Sequence, residues 1–344
     1  MAFSDILGQE KVLNVLRNAL RHDRVPQAYV FAGSEGVGKK FSALMLAKAL
    51  NCREKTDDAC DRCVSCRKVD TGNHPDVRTI EADGQFIKID QIRDVQKDAG
   101  YKAFEGRRKV YIIDRAGHMR DEAANALLKT LEEPTAECVI ILVTANVHAL
   151  LPTVLSRCQL LRFAALSVEK LAEFLVQRRD LDPQRARVIA SLSEGCPGRA
   201  LSMDADALSV QRERLESLLQ TLSSGLQDVR ILFQEVEVLL AHKDELHDSL
   251  DLLQLWYRDM HVLRERGDPR FVANSDALAC LQRSAEQLSP RQIRRLFEIV
   301  SRTKSDILRN ANVQLSLEVM LISLTEVYND RSRWREVQAD RKSL

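Results

Sequence analysis

Gly33, Gly36, Gly38 and Lys39 stand in the pattern G-x-x-x-x-G-K, between a short apolar run at 29–32 and a helical pattern that begins at 40. Glycines at this spacing let the backbone turn its N–H groups inward, the helix N-terminus favours an anion, and the lysine adds a point charge for outer phosphates. That is the chemistry of a phosphate cradle for ATP or ADP. In a hydrolysing enzyme the next position is Ser or Thr, whose hydroxyl holds magnesium; here it is Lys40. The loop keeps its cradle but lacks part of its hydrolytic equipment, so nucleotide binding is expected to be weak or absent.

A second group follows at once. Cys52, Cys60, Cys63 and Cys66 read C-x7-C-x2-C-x2-C, with turn-forming polar residues between them. Thiolates at this density suit a tetrahedral Zn2+ with no open coordination position, hence a structural ion; the alternative is four unligated thiols in a surface loop. His74 is not needed as a ligand and is expected at the surface. Cys138, Cys158, Cys196 and Cys280 are scattered and read as core packing.

Asp114 ends the run KVYIID, where phosphate-loop enzymes keep the carboxylate that supports magnesium. A hydrolase would place an acid next to it to polarise water, but this chain has Arg115, whose guanidinium stays protonated and cannot take a proton. A displaced base would have to come from Glu122, Glu132 or Glu133. Thr144 closes the run CVIILVT, where its hydroxyl could face a γ-phosphate or simply end a strand. Arg157, in the triplet S-R-C, could make a surface ion pair or reach a neighbouring subunit's nucleotide. Arg199, after G-C-P-G, could point to the same nucleotide or be a solvated first-turn arginine.

These residues need a scaffold. Apolar runs at 29–32, 77–81, 109–114, 138–144 and 159–163 alternate with helical patterns at 5–21, 40–50, 89–99 and 121–133, the last stopping at Pro134, and a short helix from 150 precedes the fifth run. That alternation predicts a parallel sheet with helices on both faces. From 167 onward β-branched runs vanish. Helices are expected at 167–179 and 183–193, with a third from near 199, then at 209–222, 228–241, 244–266, 274–287, 290–302 and 312–328. The charged tail at 329–344 is expected to fray. A length of 344 residues predicts two or three domains. A net charge of +1 gives no general reason to expect nucleic-acid binding, so any such contact must be local. With no apolar run of signal-peptide or membrane-span length, the expectation is a cytoplasmic protein without membrane contact, whose eight cysteines serve as thiols or metal ligands.

The loop at 33–39, the cysteine insert, residues 123–134 (AANALLKTLEEP) and residues 151–159 (LPTVLSRCQ) together resemble the delta-prime type of subunit in the bacterial DNA polymerase III clamp loader, an AAA+ family. The resemblance is clear to about residue 205 and continues more weakly at 308–321, LRNANVQLSLEVML. Gamma/tau motor subunits share the ALLKTLEEP and SRC motifs but carry threonine and glutamate where this chain has Lys40 and Arg115. The resemblance implies an AAA+ domain at 1–165 with a zinc module at 52–66, a helical lid at 166–206 and a helical collar at 207–344. It implies gamma/tau and delta partners in a pentameric ring, and contact with the sliding clamp and primer-template DNA through the complex. On this reading Arg157 is an arginine finger acting in trans, Arg199 stands at a sensor-2-type position, and the chain has no ATPase of its own. The alternatives are an active gamma/tau-like ATPase and, from a different class, a zinc-dependent nucleic-acid-binding module at 45–75.

Overall fold

A computed structural model describes residues 1–54, 57–133, 137–223 and 229–330. The expected helix stop at Pro134, the helix start at Asp228 and the tail from 331 lie outside the described residues. Two compact units emerge: residues Met1–Ser167 with Gly195–Leu201, and Val168–Glu194 with the chain from Ser202 onward.

Five strands form the first unit's sheet: β1 (Ala28–Ala32), β2 (Val77–Ile80), β3 (Lys109–Ile113), β4 (Cys138–Thr144) and β5 (Gln159–Arg162). They are all parallel, in the order β2-β3-β4-β1-β5. Every residue of β1, β3 and β4 is buried, which is why these segments read as unbroken apolar runs and not as alternating ones. Alternate residues serve opposite faces. Tyr29, Phe31, Val110, Ile112, Val139, Ile141 and Val143 pack with Leu16 and Leu46 on one side. Val30, Ala32, Tyr111, Ile113, Ile140 and Leu142 pack with Ile92, Val95 and Leu127 on the other. The helices responsible are α1 (Glu10–Arg21) and α2 (Lys39–Leu50) for the first face, and α4 (Ile89–Ala99) and α5 (Asp121–Glu132) for the second; α3 (Val64–Asp70) lies in the cysteine insert. A short α6 (Pro152–Leu155) leads into β5, and α9 (Pro197–Ser202) rejoins this unit by its first residues. This is the expected α/β fold, a parallel-sheet domain with helices on both faces, with the loop leaving a strand flanked on both sides.

Among its described residues the second unit is helical: α7 (Val168–Arg179), α8 (Pro183–Leu192), α10 (Ala205–Ser223), α11 (Val229–Ala241), α12 (Leu246–Arg266), α13 (Leu278–Glu286), α14 (Pro290–Leu308) and α15 (Val313–Asn329). Helix α12 packs against α8, α10, α13 and α14. The continuous helix expected at 274–287 is instead a short 3-10 turn at Ser275–Ala277 followed by α13. Asp259 of α12, fully buried, explains the break. Its carboxylate accepts the N–H groups of Ala273 (3.0 Å) and Asn274 (2.9 Å) and the Asn274 side-chain amide (2.9 Å), which fixes the chain before α13 can begin. No helix among the described residues is long and apolar enough to cross a membrane.

Candidate nucleotide, metal and arginine sites

The parallel register carries the phosphate loop out between two strands. Ala32 lies beside Thr144 on β4 and beside Arg162 on β5, and the Gly33 N–H then donates to the Thr144 carbonyl at 3.3 Å. Gly36 (φ +76°) and Gly38 (φ +100°) hold the left-handed backbone that glycine adopts without strain. At Gly36 space matters as well, because a Cβ there would lie 2.9 Å from the Arg199 backbone nitrogen. The Gly36 carbonyl accepts the Gly198 N–H at 2.7 Å, so the G-C-P-G turn is seated on the loop and brings Arg199 against it. Lys39, the first residue of α2, is 7% exposed and donates to the carbonyls of Gly33 (2.5 Å) and Ser34 (2.7 Å). Burial holds its ammonium below the ordinary lysine value, against the pull of Glu35 and Asp114.

Lys40 takes the position next to the cradle. Its ammonium lies 3.1 Å from Asp114 Oδ2 and 2.5 Å from Glu81 Oε1. Burial opposes its charge, but hydrogen bonds to Glu81 and Asp114 outweigh it and keep the group above the usual lysine value. The carboxylate that ends β3 is therefore already neutralised by a cation belonging to the chain. Arg115 follows in a left-handed conformation (φ +50°) and is exposed. The Thr144 hydroxyl, buried, donates to the Asn146 carbonyl at 2.8 Å and accepts the Asn146 N–H at 3.2 Å; its hydrogen bonds close the turn after β4.

The four cysteines converge. Their sulfurs all lie within 4.8 Å of one another, and Cys60 and Cys66 are 3.8 Å apart. A tetrahedron of sulfurs at a Zn–S distance of about 2.3 Å has edges of about 3.8 Å, so the donor set fits the ion. Backbone N–H groups support it: Cys63 donates to Cys60 Sγ and Cys66 donates to Cys63 Sγ, each at 3.4 Å, the second capping α3. Burial would raise the Cys63 thiol, but N–H donors and the neighbouring thiols bring it down to about 6. Four sulfur donors leave no open position, so a bound zinc would hold the insert together and perform no reaction. The insert is also tied to the sheet unit through Lys48, fully buried on α2, which donates to Asp70 (2.6 Å) and to Asp61.

His74 corrects the surface expectation. It is 3% exposed, with Nε2 3.0 Å from Ser65 Oγ and Nδ1 accepting the Asp76 N–H at 3.2 Å. Both ring nitrogens are satisfied inside the protein, and burial keeps the imidazole below its usual value. Nothing in the spacing of the sequence signalled these partners.

Arg157 lies beyond α6 and apart from the loop. Its guanidinium donates through NH1 to the Thr153 carbonyl (3.0 Å) and Ser156 Oγ (3.2 Å), and NH2 lies 2.8 Å from Glu132 Oε1. The side chain remains 38% exposed. Gly33, Gly36, Gly38, Lys39, Asp114, Thr144 and Arg199 thus gather around one loop, while Arg157 and the cysteine cluster form separate sites. Sequence reasoning missed Glu81 and treated Glu132 only as a displaced base; both are acids whose partners lie far along the chain.

The chain is similar in sequence to known proteins. Residues 8–167 match the family model described as DNA polymerase III, delta subunit, and residues 211–326 match its C-terminal model. The DNA polymerase III subunit delta' of Bacillus subtilis is 30% identical over 320 residues, 92% of this chain and 96% of that protein. The DNA polymerase III subunit tau of Escherichia coli is 35% identical over 231 residues, 64% of this chain but 36% of tau. Among solved structures, the DNA clamp loader delta protein of Bacillus subtilis covers 91% of this chain and 99% of its own at 13% identity, with a TM-score of 0.37. Near-full-length similarity to a delta' subunit, on a sheet unit with a phosphate loop and a helical remainder, means that the chain belongs to the delta' family of DNA polymerase III clamp-loader subunits.

Proposed function

We propose that this chain is a non-hydrolysing, stator-like subunit of the clamp loader that supplies Arg157 in trans to the nucleotide of an adjacent ATPase subunit. The observation that carries the non-hydrolysing half is the ammonium of Lys40 on Asp114 and Glu81. A divalent ion would have to displace a tethered cation to reach the Asp114 carboxylate, and Arg115 stands where a base would be needed. The trans half rests on Arg157, an exposed guanidinium outside the chain's own loop, at the arginine of the SRC motif.

On this reading the partners are gamma/tau and delta subunits in a pentameric ring, with the sliding clamp and primer-template DNA engaged through the assembly in the cytoplasm. The working division is an AAA+ domain at 1–165, a lid at 166–206 and a collar at 207–344. Leu315 and Val319, 59% and 56% exposed on α15, with Ile322 one turn on, support an assembling role for the last part. The cysteine cluster holds one structural zinc ion. A second reading, an active gamma/tau-like motor, is favoured by the intact cradle of Gly33, Gly36, Gly38 and Lys39. Steady-state ATP turnover by the purified chain separates the two: the stator reading expects none above background, and turnover abolished by Lys39→Ala would establish the motor.

A further inference from the structure

We propose that Glu132 is a positioning residue for Arg157, holding the guanidinium ready for a neighbouring subunit's phosphates; this rests on the trans reading of Arg157. Helix α5 ends at Glu132, and α6 runs from Pro152 to Leu155, so Arg157 is gripped between the ends of two helices. Two acceptors and one ion-pair partner hold it: the Thr153 carbonyl and Ser156 Oγ accept from NH1, and Glu132 Oε1 lies 2.8 Å from NH2. A guanidinium has five N–H hydrogens. NH1 makes both of the guanidinium's hydrogen bonds, while NH2, paired in charge with Glu132, and Nε make none to the protein among the described residues and are available to an incoming phosphate oxygen.

Stability is a poor explanation for the pair. The side chains are 38% and 49% exposed, and ion pairs in such settings contribute little to folding. Orientation is a better one, because an arginine side chain has many rotamers and must otherwise be ordered when the neighbouring subunit docks. Glu132 is also the partner that comes from outside the local turn: Thr153 and Ser156 are four and one residues away, whereas the ion pair to Glu132 ties the turn to α5.

The test uses the complex reconstituted with its ATPase subunits, measuring kcat and KM for ATP together with assembly by gel filtration. Glu132→Ala is expected to lower kcat about fivefold, the scale of one half-exposed ion pair, with KM for ATP and assembly unchanged. Glu132→Asp, which retains the carboxylate, should restore part of the loss. Adding Glu132→Ala to Arg157→Ala should cost nothing further, because the positioned group is already gone. If Arg157→Ala lowers kcat while Glu132→Ala leaves it unchanged or raises it, or if the two losses multiply, the positioning role is wrong and the finger stands. If Arg157→Ala itself has no effect, both are wrong.

Discussion

Replacing Lys40 by threonine should turn a metal-indifferent loop into a magnesium-dependent one. The ammonium is 41% exposed and contacts two carboxylates, at 3.1 Å and 2.5 Å. A unit charge about 3 Å from its partner is worth roughly 5 kcal/mol at an effective dielectric of about 20. Solvent at so exposed a group reduces this to about 0.5–1 kcal/mol per pair, or about 1–2 kcal/mol for the two. Removing the ammonium therefore improves the attraction of Asp114 and Glu81 for a divalent cation by roughly five- to thirtyfold, before any ligation by the new hydroxyl. Titration with a fluorescent ADP or ATP analogue, in magnesium and in EDTA, reads the effect. Wild-type protein should show the same affinity, however weak, in both buffers, and Lys40→Thr should bind more tightly in magnesium by at least about fivefold. Hydrolysis should stay absent, since Arg115 is untouched. Wild-type protein that binds nucleotide more tightly with magnesium would refute the idea that Lys40 stands in for the ion.

Two further outcomes follow from neighbouring parts of the same unit. Protein purified under reducing conditions should carry about one zinc ion per chain. Cys66→Ser should abolish it and open the insert to proteolysis while the sheet unit still unfolds cooperatively; far less than one ion in the wild type removes the metal site. Asp76, 3% exposed, accepts the N–H groups of Phe104 (2.6 Å), Glu105 (2.9 Å) and Gly106 (2.7 Å). Asp76→Ala should cost about 2–4 kcal/mol in urea unfolding. Burial would raise the Asp76 pKa, but the three N–H donors and His74 outweigh it, so the folded value lies below the unfolded one. Its contribution is then complete above the unfolded value of about 3.9 and is lost as pH falls through the lower folded value. A wild-type advantage that instead disappears above pH 5 would contradict that sign.

Much of the fold was legible because the signals are local. Strands β3 and β4 announce themselves as apolar runs because both of their faces are covered, and the four cysteines cluster in space because they already cluster in sequence. Lys40 was legible as a departure, but its consequence was not. Glu81, which completes the ion trio, lies 41 residues away on the far side of the cysteine insert, and nothing in the local pattern distinguishes it from any exposed acid. Glu132 is equally ordinary in sequence and gains its meaning only from the return of the chain at Arg157. The break before α13 was invisible for the same reason: residues 274–287 have a helical pattern, and the buried Asp259 that interrupts it comes from another helix. His74 was misjudged because a lone histidine in a polar stretch gives no hint that Ser65 and the Asp76 N–H will enclose it.

The central claim, that this subunit lacks turnover of its own and works on a neighbour's nucleotide, is tested most directly by the ATPase rate of the reconstituted complex carrying Arg157→Ala. Assembly should be unchanged, while hydrolysis at the adjacent site falls by at least about a hundredfold, seen as a clear drop in the overall rate and in clamp loading. A fully assembled complex with unchanged turnover and clamp loading would contradict it.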